Sequence, residues 1–247
     1  MITEKLRLDI CLTPKLISNY DLNETTIVII DIIRASSSIC TALHYGVEHI
    51  VTMASIEEVL NLKSEGYIIA GERNGDKLDG FDYGNSPIAF MDRKLEGKKL
   101  ALTTTNGTHT IDQVLMASAL STNIEILIGA FVNYSKLRDY LYRGTKNVLL
   151  LCAGWIDNLS IEDTVFAGKV AFELMKSGKF RLTSDSAKHG IILYEDARSN
   201  YFNFVMDNSV RFSQNAGHLS HDIRYSLKED VAPVLPVLSD GKFIAMV

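Results

Sequence analysis

The chain has 247 residues, 47% hydrophobic and 22% charged, with a formal net charge of −5. This is the composition of a globular protein with ample material for a core. The acidic balance disfavours a nucleic-acid-binding face, and no run of about 18 apolar residues offers a membrane span. Three scattered cysteines, Cys11, Cys40 and Cys152, give neither a disulfide framework nor a zinc spacing and suit a reducing cytoplasm. Charges throughout "MITEKLRLDICLTPKLI" leave no apolar signal-peptide segment, so a cytoplasmic location is expected.

The first strand is read in "LRLDICL", which alternates, and the second in "TIVIID", which is continuously apolar and suits a strand covered on both faces. "IIRASSSICTALHYG" follows as a helix closed by Gly46. "HIVTM" reads as a strand, "SIEEVLNLKSEG" as a helix capped by Ser55 and ended by Gly66, and "YIIAGE" as a strand. "RNGDKLDGFDYGNSP" is glycine-rich and aperiodic, hence a loop, and "FMDRKLEGK" is too short and polar to fix as a helix. "KKLALTTT" resumes as a strand, followed by helix "THTIDQVLMASA", strand "IEILIGA", helix "VNYSKLRDYLYRG" and strand "NVLLLCAG". "SIEDTVFAGKVAFELMKSG" is the clearest helix, with Ser160 as cap, Asp163 completing a capping-box-like start and Gly178 at the end. The remainder reads as helical, from "DSAKHGIILYEDARSNYFNFVMD" through "GHLSHDIRYSL", before a strand pair "VAPVLPVL" and "KFIAMV". Alternating strands and helices predict one α/β domain over residues 1–247, a three-layer arrangement with a largely parallel or mixed sheet and helices on both faces. The repeated strand–turn–helix units are read as the generic βα unit, with pseudo-repeated halves near 1–100 and 101–247 as the other reading.

In such sheets ligands gather at the carboxyl ends of strands, and the polar residues converge there. After "TIVII" come Asp31, Arg34, Ser36, Ser37 and Ser38; after "KKLALT" come Thr104, Thr105, Asn106, Gly107 and Thr108. Asn133 follows a further strand, and Trp155, Asp157, Glu162 and Asp163 another. The glycine loop adds Glu72, Arg73, Asp82, Asn85 and Ser86. Hydroxyls and free N–H groups at helix N-termini suit an oxyanion, although threonine and serine are also ordinary caps. Two such turns in corresponding places favour a site. Asp31 ends the most apolar strand, where an unpaired charge is costly, so it needs a metal ion or Arg34. Asp31, Glu72, Asp82, Glu162 and Asp163 supply oxygen ligands of the kind Mg²⁺ accepts, while acidic residues opening a helix are also expected from its dipole. Fingerprints for dinucleotides, P-loop nucleotides and serine hydrolases are absent; Cys152 reads as a small buried residue, and His109, His218 and His221 form no ligand pattern.

"DIIRASSSICTAL", "GERNGDKLDGFDYGNSP", "TTTNGT" and "CAGW" followed by "IED" occur in this order over roughly residues 26 to 170 and together resemble the 2-phosphosulfolactate phosphatase family. The resemblance implies an unusual α/β fold and an Mg²⁺-dependent phosphoric monoester hydrolase that converts 2-phospho-3-sulfolactate to 3-sulfolactate and phosphate, a step of coenzyme M biosynthesis. On that basis Asp31, Arg34 and Asp82 are the catalytic candidates. Arg73, Ser36, Ser37, Asn85, Ser86, Thr104, Thr105, Asn106, Gly107, Thr108 and Asn133 are the candidates to hold a small anionic phosphorylated substrate, and Mg²⁺ would sit among Asp31, Glu72, Asp82, Glu162 and Asp163. A phosphatase of another small phosphorylated hydroxy acid and a non-catalytic organic-anion binder are the rivals. Base rates alone point to a homodimer.

Overall fold

The computed structural model describes residues 5–215 and 217–246, with the side chains at 214, 215 and 218 outside the description. His218, one of the histidines that form no ligand pattern, therefore lies outside the described side chains, as does the start of the N-terminal stretch judged for a signal. The elements run β1 (Leu6–Cys11), β2 (Thr25–Ile30), α1 (Ala35–His44), β3 (His49–Thr52), α2 (Ile56–Leu62), β4 (Ile68–Arg73), β5 (Asp76–Lys77), β6 (Lys99–Thr103), α3 (Gly107–Ser118), β7 (Glu125–Ile128), α4 (Tyr134–Arg143), β8 (Asn147–Cys152), α5 (Ile161–Met175), β9 (Phe180–Leu182), α6 (Asp185–Ala197), α7 (Tyr201–Asn208), α8 (Val210–Asn215), α9 (Ser220–Ser226), β10 (Pro236–Ser239) and β11 (Lys242–Ala245).

Eleven strands make one mixed sheet in the order β5-β4-β6-β3-β11-β10-β7-β2-β8-β1-β9, in a three-layer α/β architecture. Two parallel blocks flank its centre: β4-β6-β3 on one side and β7-β2-β8-β1-β9 on the other. The C-terminal hairpin β10–β11 fills the gap between them, antiparallel to both neighbours through Val237↔Leu127 and Phe243↔Ile50. Continuously apolar β2 is buried at every residue, as a strand covered on both faces requires. Strands from the first hundred residues and from the rest interleave in both blocks, β1 and β2 lying beside β8, and β3 and β4 beside β6.

Most elements sit where the sequence places them, with informative exceptions. Helix α1 starts only at Ala35, because Asp31 to Arg34 form a turn in which the Ser36 N–H donates to the Asp31 carbonyl. The Ile33–Arg34 peptide in this turn is cis. The stretch after the glycine loop resolves into two 3-10 turns, Ile88–Met91 and Arg93–Leu95. Ser55 caps α2 and Gly66 takes a left-handed φ of 84° after it, as predicted. Ser160 makes no side-chain cap on α5, and Asp163, placed in a capping box by the sequence, turns inward instead. No helix among the described residues is long and apolar enough to cross a membrane. Cys11, Cys40 and Cys152 are buried free thiols.

Candidate active site

Three strand ends deliver four buried carboxylates to one region: Asp31 after β2, Glu72 near the end of β4, and Glu162 and Asp163 in the first turn of α5 after β8. They sense one another. Burial raises the Asp31 pKa to about 7, opposed by Arg211 and the Ala35 N–H and reinforced by the charges of Glu72 and Glu162. Burial raises Glu162 as well, against the Ser160 hydroxyl and Arg211. Asp163 is pushed furthest, by burial, then by Glu162 and Asp31. On Asp31 and Asp163, desolvation and like-charge repulsion act in the same direction.

The oxygens of these acids have different employment. Asp163 accepts from the Ile32 N–H at 2.8 Å and the Gly154 N–H at 3.1 Å, fastening the β2–α1 turn to the β8–α5 loop. Glu72 accepts from the Thr105 N–H and the Gly75 N–H, both at 2.7 Å, and from the Thr105 hydroxyl at 3.1 Å, fastening the glycine loop to the start of α3. Asp31 accepts only a 3.3 Å bond from the Ala35 N–H at Oδ1, and its Oδ2 faces Gly107. A Cβ on Gly107 would stand 2.6 Å from the Ala35 Cβ and 3.1 Å from Asp31 Oδ2, so only glycine lets α3 begin this close to α1.

Several residues selected from sequence as ligand-binding prove committed to the scaffold. Ser36 donates to the Ile29 carbonyl and accepts from the Asp31 N–H, Ser37 donates to the Ile32 carbonyl, and Ser38 to the Asn85 carbonyl. A hydroxyl carries one proton, so none of these remains a donor for an oxyanion. Thr104 and Thr108 bond each other across the first turn of α3, the Thr108 hydroxyl donating to the Thr104 carbonyl at 2.8 Å. Asn133 is fully buried, accepting from the Ala130 N–H and donating to the Ile128 and Val234 carbonyls, which moors the C-terminal segment to β7. It is a structural residue, not a substrate contact.

Arg34 does not meet Asp31, the partner sequence offered for it. Its guanidinium forms a buried ion pair with Asp222 of α9 at 2.9 Å and donates to the Gly75 carbonyl at 2.7 Å, and Ser86 donates to the same Asp222 carboxylate at 2.6 Å. Arg73 donates to the carbonyls of Glu72 and Ala54 and to the Thr103 hydroxyl. Asp82 is not gathered with the other acids. It accepts from the Ile69 N–H and pairs with Lys63 at 3.0 Å, opposite a residue three positions before Glu72 and therefore roughly 10 Å back along β4. Asn85 is buried, and its Oδ1 has no partner among the described residues.

Two depressions flank the β8–α5 loop, and Glu162 lines the larger of them. The smaller, about 180 Å³, is lined by Thr105, Asn106, His109, Ala153, Ile156 and Asp157. The larger, about 960 Å³, lies between the β8–α5 loop and α8, with Asn74, Trp155, Asn158, Ser160, Glu162 and Arg211 among its walls. Between them the turn Trp155–Asn158 is closed by reciprocal backbone bonds, with left-handed φ at Ile156 (47°) and Asp157 (60°); the Ile156 N–H donates to Asn106 Oδ1. A β-branched residue in that conformation is uncommon. Arg211 was not found from sequence. It stands in "NSVRFSQN", which carries no motif, and only the fold brings it to Asp31, Glu72, Glu162 and Asp163; burial lowers its pKa, and the charges of these acids oppose that.

No group of three or more His, Cys, Asp or Glu among the described residues is arranged to hold a metal ion by itself. Mg²⁺ ordinarily needs only one or two carboxylates beside water and substrate oxygens, and Asp31 and Glu162 meet that requirement. Both are buried and raised in pKa, the Glu162 charge acts on Asp31, and Asp31 keeps an oxygen free of backbone bonds.

A family model described as 2-phosphosulpholactate phosphatase matches residues 11–241. A protein of Caldanaerobacter subterraneus subsp. tengcongensis named "Probable 2-phosphosulfolactate phosphatase" is 31% identical over 230 residues, covering 91% of this chain and 92% of that protein. Proteins of the same name from Thermotoga petrophila and Clostridium tetani are 34% and 30% identical, over 89% and 96% of this chain and 91% and 99% of their own lengths.

Proposed function

The chain belongs to the 2-phosphosulpholactate phosphatase family, and on that premise we propose that it hydrolyses 2-phospho-3-sulfolactate to 3-sulfolactate and phosphate with Mg²⁺ bound. One observation carries the reading. Four buried carboxylates converge where the helix N-termini of α1, α3 and α5 point, and Arg211 is the cation that offsets Asp31 and Glu162. A multiply anionic substrate entering such a site would be repelled unless a further cation came with it. A purely binding protein has no need of the acids; a metal-assisted phosphatase does.

Asp31 and Glu162 would hold the ion. Bound there, Mg²⁺ supplies charge neutralisation for phosphate oxygens and acidifies water. The chain's own groups do the rest. The oxygen of a water bonds to phosphorus, the bond from phosphorus to the C2 oxygen breaks, and the departing alkoxide takes up a proton. Asp31, whose pKa lies at about 7 under the protein's own charges and would fall once the ion is bound, is then ionised near neutrality and accepts the water's proton. Asp163 and Glu72 hold the four surrounding loops in register, two by two. A cytoplasmic location accords with the three free thiols.

Phosphate release from 2-phosphosulfolactate and from phospholactate, each with Mg²⁺ and then with EDTA, tests this. Release from the sulfonated substrate that stops in EDTA is expected. No release from either phosphorylated acid would refute the enzyme reading, and release insensitive to EDTA would refute the role of the metal.

A further inference from the structure

Arg211 differs from the other arginines of the site in what its donors do. Arg34 is bonded to Asp222 and the Gly75 carbonyl, and Arg73 to three acceptors. Among the described residues, none accepts a hydrogen bond from Arg211 and none forms an ion pair with it. Its guanidinium carbon lies 3.5 Å from the centre of the Trp155 ring and 4.8 Å from that of Phe212, so the planar group is stacked, not bonded. It lines the larger cleft with Asn74, Ser160 and Glu162.

Arg211 is half-buried at the cleft, its guanidinium keeps its proton, and its N–H donors are free to meet an acceptor that enters. Stacking on Trp155 fixes the plane of the fork while leaving its edge open. An edge of parallel N–H donors matches two oxygens of a phosphate, sulfonate or carboxylate. The carboxylates nearby act on Arg211 only through space, so the fork is held over the site without being consumed by it.

We infer that Arg211 grips an oxyanion of the substrate through its guanidinium edge, with Trp155 as the plate that orients it. This rests on the phosphatase reading and adds the residue that anchors the substrate. Trp155 is the only tryptophan in the chain, so its emission reports directly on its stacked partner.

The test compares wild type with Arg211→Met and Arg211→Lys in two measurements. The first is the change of Trp155 emission on titration with 3-sulfolactate and with inorganic phosphate in the presence of Mg²⁺. The second is KM for 2-phosphosulfolactate and phospholactate. Arg211→Met is expected to abolish the emission change and raise KM roughly 10- to 100-fold, the equivalent of one lost charge-assisted bidentate contact. Arg211→Lys, which keeps the charge without the fork, should fall between. A KM rise confined to the sulfonated substrate assigns the fork to the sulfonate, and an equal rise for both assigns it to a group they share. Either supports the inference. An Arg211→Met protein with wild-type KM and an unchanged emission response overturns it, provided its urea transition matches that of wild type. If Arg211→Met shifts that transition, Arg211→Lys decides: wild-type KM and emission response in a lysine protein of native stability overturn the inference equally. Should wild type release no phosphate at all, the phosphatase reading fails while the emission titration still decides the role of Arg211.

Discussion

Replacing Asp31 by asparagine separates what the residue costs the fold from what it gives the reaction. The Asp31 pKa lies at about 7 in the folded protein, pushed there chiefly by burial, against 3.8 ordinarily. Between those two values the folded state binds more protons than the unfolded chain, so stability falls as pH rises through this window and the loss is complete above it. At about 1.4 kcal/mol per pH unit the ionised carboxylate costs up to ~4 kcal/mol, and ~3 kcal/mol of that develops between about pH 5 and neutrality. Asparagine does not titrate, yet its carbonyl can still accept from the Ala35 N–H. Urea unfolding in EDTA should therefore show Asp31→Asn near wild-type stability around pH 5 and more stable by about 2–3 kcal/mol around pH 8. Adding Mg²⁺ should narrow the gap, because a cation at Asp31 stabilises only the ionised form. Phosphate release should vanish in the variant. A stability difference independent of pH would refute the raised pKa, and surviving turnover would refute Asp31 as the base.

Four further substitutions probe the scaffold. Asp163→Asn must turn its amide N–H₂ towards either the Ile32 or the Gly154 N–H, two donors face to face, and should lose about 1–3 kcal/mol in urea unfolding. Arg34→Met leaves Asp222 buried with only Ser86 against it and should lose about 3–5 kcal/mol, with much of the loss recovered when Asp222 is also made apolar. Asn133→Ala strands three backbone groups at the end of β7 and should lower stability by about 1–3 kcal/mol while leaving KM unchanged; a KM effect in a stable variant would restore it to the substrate site. Gly107→Ala inserts a methyl group against Ala35 and Asp31 Oδ2, and should lower kcat by at least roughly tenfold while costing about 1–3 kcal/mol in the same unfolding assay.

How much of this was legible in the sequence depends on how far apart the partners lie along the chain. The buried strands were readable because their apolar runs are local, and so were caps such as Ser55 and C-terminal glycines such as Gly66. The loops that build the site were also marked by their polar density, and Asp31, Glu72, Glu162 and Asp163 do come together from them. What the pattern could not express was direction. A hydroxyl at a strand end serves equally to face a ligand or its own backbone, and Ser36, Ser37 and Thr108 face the backbone. The partner of Arg34 is 188 positions away. Arg211 is likewise invisible until α8 is folded against Trp155. The three-residue β9 is too short to show a period, and nothing local in "VAPVLPVL" says that it fills the middle of a sheet.

The inward-facing hydroxyls nevertheless bear on the chemistry. Four carboxylates in one buried region would repel one another strongly, and the fold relieves this by giving them unequal work. Asp163 and Glu72 are ringed by N–H donors from Ile32, Gly154, Gly75 and Thr105, which favour a charged oxygen and join four loops in two pairs. Ser36 and Ser37 lock the β2–α1 turn against the strand below it, so the Asp31 side chain is aimed by backbone that cannot relax away from the other acids. The hydroxyl-rich turns are thus the means by which the strain of concentrating charge is held in place. Anchored acids and locked turns leave Asp31 with one long backbone bond and Glu162 with the Ser160 hydroxyl, and the burial these two carboxylates share is what gives an incoming cation its driving force.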